Sequence, residues 1–92
     1  MIITLTTDFG LSDPFVGVMK GVIFSIAPQV QIVDITHDIR SYDVEEAAFL
    51  VTSSFQYFPK GTIHLVVVDP GVGSMRRPIA AHASDHLSLI HI

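Results

Sequence analysis

Apolar residues follow two different patterns along the chain. Short β-branched runs at residues 2–6, 31–35 and 63–68 predict three strands. Between these runs, apolar residues recur every three or four positions, first after Asp13 and again after Asp43, which predicts two amphipathic helices. Strands and helices that alternate in this way predict βαβ units with right-handed crossovers, and therefore a parallel sheet.

Both predicted helices begin at residues that suit a helix amino terminus. Asp13 can cap the first helix with Pro14 at its first position, and Asp43 with Glu46 resembles a capping box at the start of the second. We expect each helix to bury one apolar face. These faces comprise Phe15, Val18, Met19, Val22, Ile23 and Ile26 in the first helix, and Val44, Ala48, Val51, Phe55 and Phe58 in the second.

The third strand leads into a loop with candidate chemistry. The strand does not alternate between apolar and polar residues, so we expect it to be buried on both faces. It ends at Asp69, and Pro70, Gly71 and Gly73 follow before the guanidinium of Arg76. Such a loop can hold Asp69 and Arg76 over the carboxyl end of a strand, where open α/β sheets bind their ligands. The alternative is a tight turn with a surface ion pair.

Every predicted strand ends in a loop that carries a carboxylate. Asp8 follows the first strand, Asp34 and Asp38 flank the end of the second, and Asp69 follows the third. Because the carboxyl ends of parallel strands meet at one edge of a sheet, the sequence predicts a site there. Asp34, His37 and Asp38 could ligate a metal, but such residues more often cap turns, so we predict no metal site.

Three other side chains each allow two interpretations. His64 lies inside an apolar strand, which favours a hydrogen-bonded core histidine over a ligand. Tyr42 is either an ordinary loop aromatic or a surface on which a base or sugar could stack. Asp13 can act as a helix cap alone, or it can also contact a ligand.

The composition narrows the class of protein. With 49% hydrophobic and 15% charged residues, the chain is too apolar for a disordered segment. The net charge of −4 and the lack of a basic patch argue against nucleic-acid or anionic-membrane binding. The chain has no cysteine, no signal-peptide pattern at its start, and no apolar run near the ~20 residues of a membrane span. We therefore expect a cytoplasmic protein.

The end of the chain fits this pattern poorly. Residues 79–83, after Pro78, could begin a fourth strand, but the strand pattern then breaks without a turn signal. We interpret residues 87–92 as a non-native tail. On this interpretation residues 1–86 form one partial α/β domain whose sheet is incomplete.

Several segments together form a specific motif set. They are Thr6-Thr7-Asp8-Phe9-Gly10 with Asp13, Val33-Asp34-Ile35-Thr36-His37, Asp43-x-x-Glu46-Ala47, Tyr57-Phe58-Pro59-Lys60-Gly61-Thr62, and Val68-Asp69-Pro70-Gly71-Val72-Gly73-Ser74 with Arg76-Arg77. This set resembles the amino-terminal domain of the S-adenosyl-L-methionine hydroxide adenosyltransferases, relatives of the fluorinating and chlorinating enzymes. The resemblance covers about residues 2–86 and implies a three-layer α/β/α Rossmann-like domain with a mainly parallel sheet.

The resemblance also implies a reaction and roles for individual residues. The family cleaves S-adenosylmethionine with water into adenosine and methionine, and it needs no metal or cofactor. Asp69 and Arg76 match two members of an Asp–Arg–His triad that positions the water. Asp8 matches a ribose-binding aspartate, Asp13 an aspartate near the methionine amine, and Tyr42 an aromatic that lines the substrate pocket.

Two features of the family have no counterpart in this sequence. The triad histidine lies beyond residue 92 in the family, and so does a β-barrel domain that supplies adenine contacts across a homotrimer interface. We therefore expect the 92-residue chain to be inactive and its full-length parent to be an enzyme. A halogenating relative is one alternative, which Asp69 disfavours because those enzymes lack this carboxylate. A nucleoside-binding module without turnover is another.

Overall fold

The secondary structure follows the predicted order and extends beyond it. A computed structural model describes residues 1–40, 43–68, 78–83 and 86–91. Helices α1 and α2 alternate with the first three strands, a 3₁₀ turn follows α2, and two further strands end the described part. The elements are β1 (Ile2–Thr7), α1 (Phe15–Ile26), β2 (Gln31–Thr36), α2 (Val44–Ser54), the 3₁₀ turn (Phe55–Tyr57), β3 (Ile63–Val67), β4 (Pro78–Ala83) and β5 (His86–His91).

The strands form one mainly parallel sheet. Their order is β2-β1-β3-β5-β4, so β3 with its valine run lies at the centre. β1 pairs in parallel with β2 and β3, β3 pairs in parallel with β5, and β4 runs antiparallel to β5. The prediction of a partial α/β domain with a mainly parallel sheet is confirmed. Within the described ranges, neither helix is long and apolar enough to cross a membrane.

The carboxy-terminal strands were only half predicted. The strand expected at residues 79–83 is present as β4, but the sequence pattern gave no strand after it, and the structure has β5 at His86–His91. β5 lies between β3 and β4 and pairs with both. Pairing on two sides can stabilise a short strand whose own alternation is weak. The interpretation of residues 87–92 as a non-native tail stays a prediction.

An aspartate side chain accepts a hydrogen bond at the start of each helix. Asp43 is the N-cap residue of α2, as predicted, but the N-cap residue of α1 is Pro14, so the predicted placement of Asp13 at the N-cap and of Pro14 at the first helical position is wrong. The Asp13 carboxylate accepts a hydrogen bond from the Phe15 amide at 3.0 Å, and the Asp43 carboxylate accepts one from the Glu46 amide at 2.9 Å. Each bond satisfies one of the amides that a helix start leaves without an intrahelical partner.

One buried core cluster lies on the α2 side of the sheet, while Leu5 and Val16 are buried outside this cluster. Ile39, Ala47, Val66 and Val68 form a buried cluster, with Leu50 and Val51 of α2 packed against it. Along β3, burial alternates: His64 and Val66 are buried, whereas Ile63, Leu65 and Val67 are half-buried. The expectation that β3 is buried on both faces is therefore wrong. One face of β3 packs against α2, and the other face of this strand is only partly covered within the described residues.

The predicted apolar face of α1 is mostly exposed. Val16 is the buried residue of this helix. The exposed fractions are 61% for Phe15, 58% for Val18, 55% for Val22 and 81% for Ile26. The helical periodicity was right, but the expectation of burial was wrong, because periodicity identifies an apolar face without supplying the surface that covers it.

Candidate functional site

The loops after β1 and β2 meet the end of β3 at the carboxyl edge of the parallel strands. The amide of Asp8, just after β1, donates to the Val67 carbonyl at the end of β3, at 3.3 Å. The amide of Gly10 donates to the His37 carbonyl after β2, at 2.7 Å. These bonds connect the β1 loop to both neighbouring strands. The convergence that the sequence predicts is therefore confirmed for the first two loops and for the end of β3.

Asp8 lies within this junction, in a turn with a defined backbone. Its neighbour Thr7 is fully buried, and the Thr7 hydroxyl accepts a hydrogen bond from the Phe9 amide at 3.2 Å. Gly10 then adopts a φ of 70°, which favours glycine because a side chain would strain that conformation. Asp8 is half-buried at the edge where α/β sheets bind ligands.

A chain of side-chain hydrogen bonds runs beneath the β1 loop. His37 is buried, and its Nδ1 atom lies 2.7 Å from the Thr7 hydroxyl. Its Nε2 atom lies 2.7 Å from Oδ1 of Asp34. The other carboxylate oxygen of Asp34 accepts from Nζ of Lys20 on α1, also at 2.7 Å. We refer to Lys20, Asp34, His37 and Thr7 as the polar relay; it connects α1, β2 and β1.

The relay affects the protonation of Asp34. Partial burial raises the pKa of this carboxyl, but hydrogen bonds from Lys20 and His37, together with their charges, outweigh that effect. The pKa of Asp34 therefore lies below its usual value, and the carboxylate is ionised at neutral pH. An ionised Asp34 can accept from both partners at once.

The structure gives Asp13 a defined structural role at the start of α1. Its exposed side chain accepts a hydrogen bond from the Phe15 amide, and the ring of Phe15 lies 6.1 Å from that of Phe9 in the β1 loop. Asp13 and Asp8 lie in the same loop, which connects β1 to α1. Its predicted contact with the methionine amine stays a prediction.

The other predicted site residues lie outside the described part of the chain. Tyr42, Asp69 and Arg76 belong to the ranges 41–42 and 69–77. The described chain leads up to the last of these ranges through Val68, which is 1% exposed. The roles of Tyr42, Asp69 and Arg76 stay predictions.

Sequence reasoning missed the relay but interpreted the other buried histidine correctly. His64 is 2% exposed, lies 2.7 Å from the Thr4 hydroxyl, and has the rings of Phe55 and Phe58 edge-on to it. It is a core histidine, as predicted. The signal for the relay was present in the threonines of β1, because a hydroxyl in a buried strand requires a polar partner.

The chain is similar to a defined family along nearly its whole length. A family model described as SAM hydroxide adenosyltransferase N-terminal domain matches residues 3–91. A curated relative from Salinispora tropica, named (R)-S-adenosyl-L-methionine hydrolase, is 42% identical over 85 residues, which are 92% of this chain and 32% of the relative. A protein named fluorinase from Nocardia brasiliensis is 38% identical over 86 residues, or 90% of this chain and 29% of that protein.

A solved structure has the same fold. The uncharacterized conserved protein from Thermotoga maritima superposes with a TM-score of 0.88 at 39% identity, over 99% of this chain and 35% of that one. The chain thus spans about a third of the length of the relatives that it matches.

Proposed function

Because the chain belongs to the SAM hydroxide adenosyltransferase family, we propose that its full-length parent hydrolyses S-adenosyl-L-methionine to adenosine and L-methionine. The observation that carries this proposal is the family match over residues 3–91, which includes every candidate site residue. The hydrolase name of a relative that is 42% identical supports the same reaction.

The proposed chemistry is a displacement at the ribose C5′ atom. A water oxygen forms a bond to C5′, the bond between C5′ and the sulfonium sulfur breaks, and the electron pair leaves with the sulfur of methionine. The attacking water loses one proton, which passes to solvent water, and the products are neutral adenosine and methionine with its thioether sulfur. Attack by hydroxide-like oxygen on a sulfonium neutralises charge, so a dry pocket favours the transition state over the separated ions.

Each candidate residue has a proposed part in this reaction. Asp69 and Arg76 hold the attacking water in line with the leaving sulfur, which lowers the entropic cost of reaching the transition state. Asp8 accepts hydrogen bonds from both ribose hydroxyls, since an ionised carboxylate offers two acceptor oxygens. Asp13 pairs with the ammonium of the methionine moiety, and Tyr42 lines the pocket.

The support for Asp8 comes from its surroundings. It is half-buried at the carboxyl edge of the sheet, and hydrogen bonds to Val67 and His37 hold the loop on both sides of it. A group held in this way loses little conformational entropy when it binds a diol. This pre-organisation favours tight hydrogen bonds to the ribose.

A halogenating reaction is the second candidate. The fluorinase from Nocardia brasiliensis is 38% identical to this chain, close to the 42% of the hydrolase from Salinispora tropica, so overall identity separates the two reactions poorly. Asp69 favours water, because a carboxylate beside the reacting carbon repels a halide ion.

The assembly and the location of the parent are further parts of the proposal. We propose that the parent is a homotrimeric cytoplasmic enzyme and that the 92-residue chain alone does not turn over the substrate. The family resemblance supports the trimer, and the missing counterpart of the triad histidine supports the inactivity of the short chain.

Product analysis on the parent tests the proposal. The parent is incubated with S-adenosyl-L-methionine in ¹⁸O-water, with and without fluoride or chloride, and each epimer at sulfur is tested separately. Adenosine with ¹⁸O at its 5′ position supports the hydrolase. A 5′-halogenated nucleoside identifies a halogenase, and binding without any product identifies a nucleoside-binding module.

A further inference from the structure

The loop that contains Asp8 depends on a buried residue thirty positions away. We propose that His37 is a positioning residue that fixes the Asp8–Gly10 turn through the Thr7 hydroxyl, and that Asp34 and Lys20 set the orientation of its ring. The inference rests on the proposed function only for the role of Asp8 toward ribose. Every other contact used for this proposal lies among the residues that the structure describes.

The chemistry of the groups in the relay fixes the direction of each hydrogen bond. An ionised carboxylate can only accept, so Nε2 of His37 carries the proton that it shares with Asp34 at 2.7 Å. In the neutral ring, Nδ1 is then an acceptor. The Thr7 hydroxyl therefore donates to Nδ1, at 2.7 Å.

The hydrogen bond that Thr7 donates to His37 also fixes the orientation of the Thr7 hydroxyl. Its hydroxyl has one proton, which points at His37, and its lone pairs are left to accept. The Phe9 amide donates to the same oxygen at 3.2 Å, which closes the turn around Asp8. A hydroxyl that rotated freely would hold this amide less firmly. The ring of His37 thus acts on the geometry of the turn around Asp8 through the Thr7 hydroxyl.

His37 contacts the β1 loop twice. Its main-chain carbonyl accepts from the Gly10 amide at 2.7 Å, while its ring holds Thr7. Nearby, the Ile39 amide donates to the Thr7 carbonyl at 3.3 Å. The residues on both sides of Asp8 are therefore anchored to the segment after β2, and the ring contact is the part that a substitution can remove.

Lys20 determines which oxygen of Asp34 is available to His37. Lys20 bonds to one carboxylate oxygen of Asp34 and leaves the other for His37. In Asp34→Asn, the amide must turn its NH₂ group toward either the ammonium of Lys20 or Nε2 of His37. Two donors face each other in the first case. In the second, Nε2 becomes an acceptor and the proton moves to Nδ1, which reverses the bond to Thr7.

Amide hydrogen exchange on the 92-residue chain tests the proposal, with His37→Leu as the main variant. Leucine fills the buried volume but has no acceptor for Thr7, and we expect exchange at Phe9 and Gly10 to become about tenfold faster, as the loss of one hydrogen bond implies. His37→Asn, whose amide oxygen can take the place of Nδ1, should restore much of the protection. Amides in α2 serve as the reference.

A second readout follows the ring itself. The ¹⁵N spectrum of the neutral ring should show His37 protonated on Nε2. Asp34→Asn should move the proton to Nδ1, whereas Asp38→Asn, a matched change one residue beyond His37, should not. The ring of His64 is an internal reference in each spectrum.

The outcomes are distinct. Unchanged exchange at Phe9 and Gly10 in His37→Leu, or a ring already protonated on Nδ1 in the unmodified chain, would overturn the proposal. If His37→Leu does not fold, the ¹⁵N spectra of the unmodified chain and of Asp34→Asn decide the proposal, and a proton that stays on Nε2 in Asp34→Asn would overturn it. Because no substrate is present, failure of the hydrolase proposal leaves these results unaffected.

Discussion

Oδ2 of Asp34 and Nζ of Lys20 lie 2.7 Å apart, which joins β2 to α1. Asp34 takes part both in this ion pair and in a hydrogen bond with His37. The Asp34 side chain is 41% exposed, so solvent screens the ion pair and its contribution to stability is small. Its main effect is on geometry, since it fixes which carboxylate oxygen is available to the histidine.

The lowered pKa of Asp34 predicts how stability depends on pH. A carboxyl with a lower pKa in the folded state stabilises the fold above its unfolded pKa, and that contribution disappears as the pH falls through the folded pKa. The difference in unfolding free energy between the unmodified chain and Asp34→Asn should shrink as the pH falls below about 4. Denaturant unfolding at pH values from about 5 to about 2 measures it. A difference that stays unchanged across this range would contradict the assignment.

The buried pair of Thr4 and His64 predicts a larger effect on stability. Both residues are at most 2% exposed, and Thr4→Val removes a hydroxyl from Nδ1 of His64 with almost no change in volume. We expect a loss of about 1–3 kcal/mol, because a buried polar atom loses this partner. Thr52→Val, on the exposed side of α2, is the matched control and should change stability by about 0.5 kcal/mol or less. Equal effects at the two sites would refute the importance of the buried bond.

Local patterns predicted the elements of the first two-thirds of the chain. β1, β2, β3 and both helices follow from β-branched runs, helical periodicity and aspartate caps, all of which act over a few residues. β5 was missed because its place in the sheet depends on pairing with β3, more than twenty positions earlier in the sequence. Pairing at that distance leaves no trace in a local window.

Long-range contacts also explain why part of the candidate site could not be predicted from the sequence. The carboxylates of the strand-end loops were predicted to meet because parallel topology requires it. The bond between Thr7 and His37 joins residues thirty positions apart, and neither residue type specifies the other. The exposed face of α1 was missed for a related reason, since the spacing of its apolar residues says nothing about what packs against them.

Two glycines should respond in opposite ways to the same substitution. Gly10 has a φ of 70° and Gly17 lies within α1, and a methyl group at either position would meet no atom within 4 Å. Gly10→Ala should therefore destabilise the chain by about 1 kcal/mol through backbone strain alone. Gly17→Ala should stabilise it by about 0.5–1 kcal/mol through helix propensity. Thermal unfolding of both variants checks this, and stabilisation by both changes would exclude the left-handed conformation at Gly10.

The exposed apolar face of α1 predicts self-association of the 92-residue chain. Phe15, Val18, Val22 and Ile26 all lie on this face, and contiguous apolar surface of this kind drives association in water. The double change Val18→Glu with Val22→Glu should shift sedimentation velocity profiles toward the monomer. Thr52→Glu with Gln56→Glu adds the same charge at exposed positions elsewhere and should shift them less. If both pairs act equally, net charge rather than this face controls association.

In the full-length parent, binding and chemistry should separate at Asp8 and Asp69. Asp8 is proposed to hold the ribose in the ground state and the transition state alike, so Asp8→Ala should chiefly raise KM. Asp69 is proposed to act on the attacking water, so Asp69→Asn should chiefly lower kcat, by about a hundred- to ten-thousand-fold. Initial rates of adenosine formation at varied substrate concentration measure both constants.

Arg76 provides the control for this assignment, because it is proposed to position the same water as Asp69. Arg76→Ala should lower kcat by a factor similar to that of Asp69→Asn. The double variant should be only slightly slower than either single variant, since residues that act as a unit give strongly non-additive losses. Additive losses would mean that the two groups act independently. If Asp69→Asn leaves kcat intact and only raises KM, Asp69 binds substrate instead of positioning water, and the proposed displacement requires a different group to orient the nucleophile.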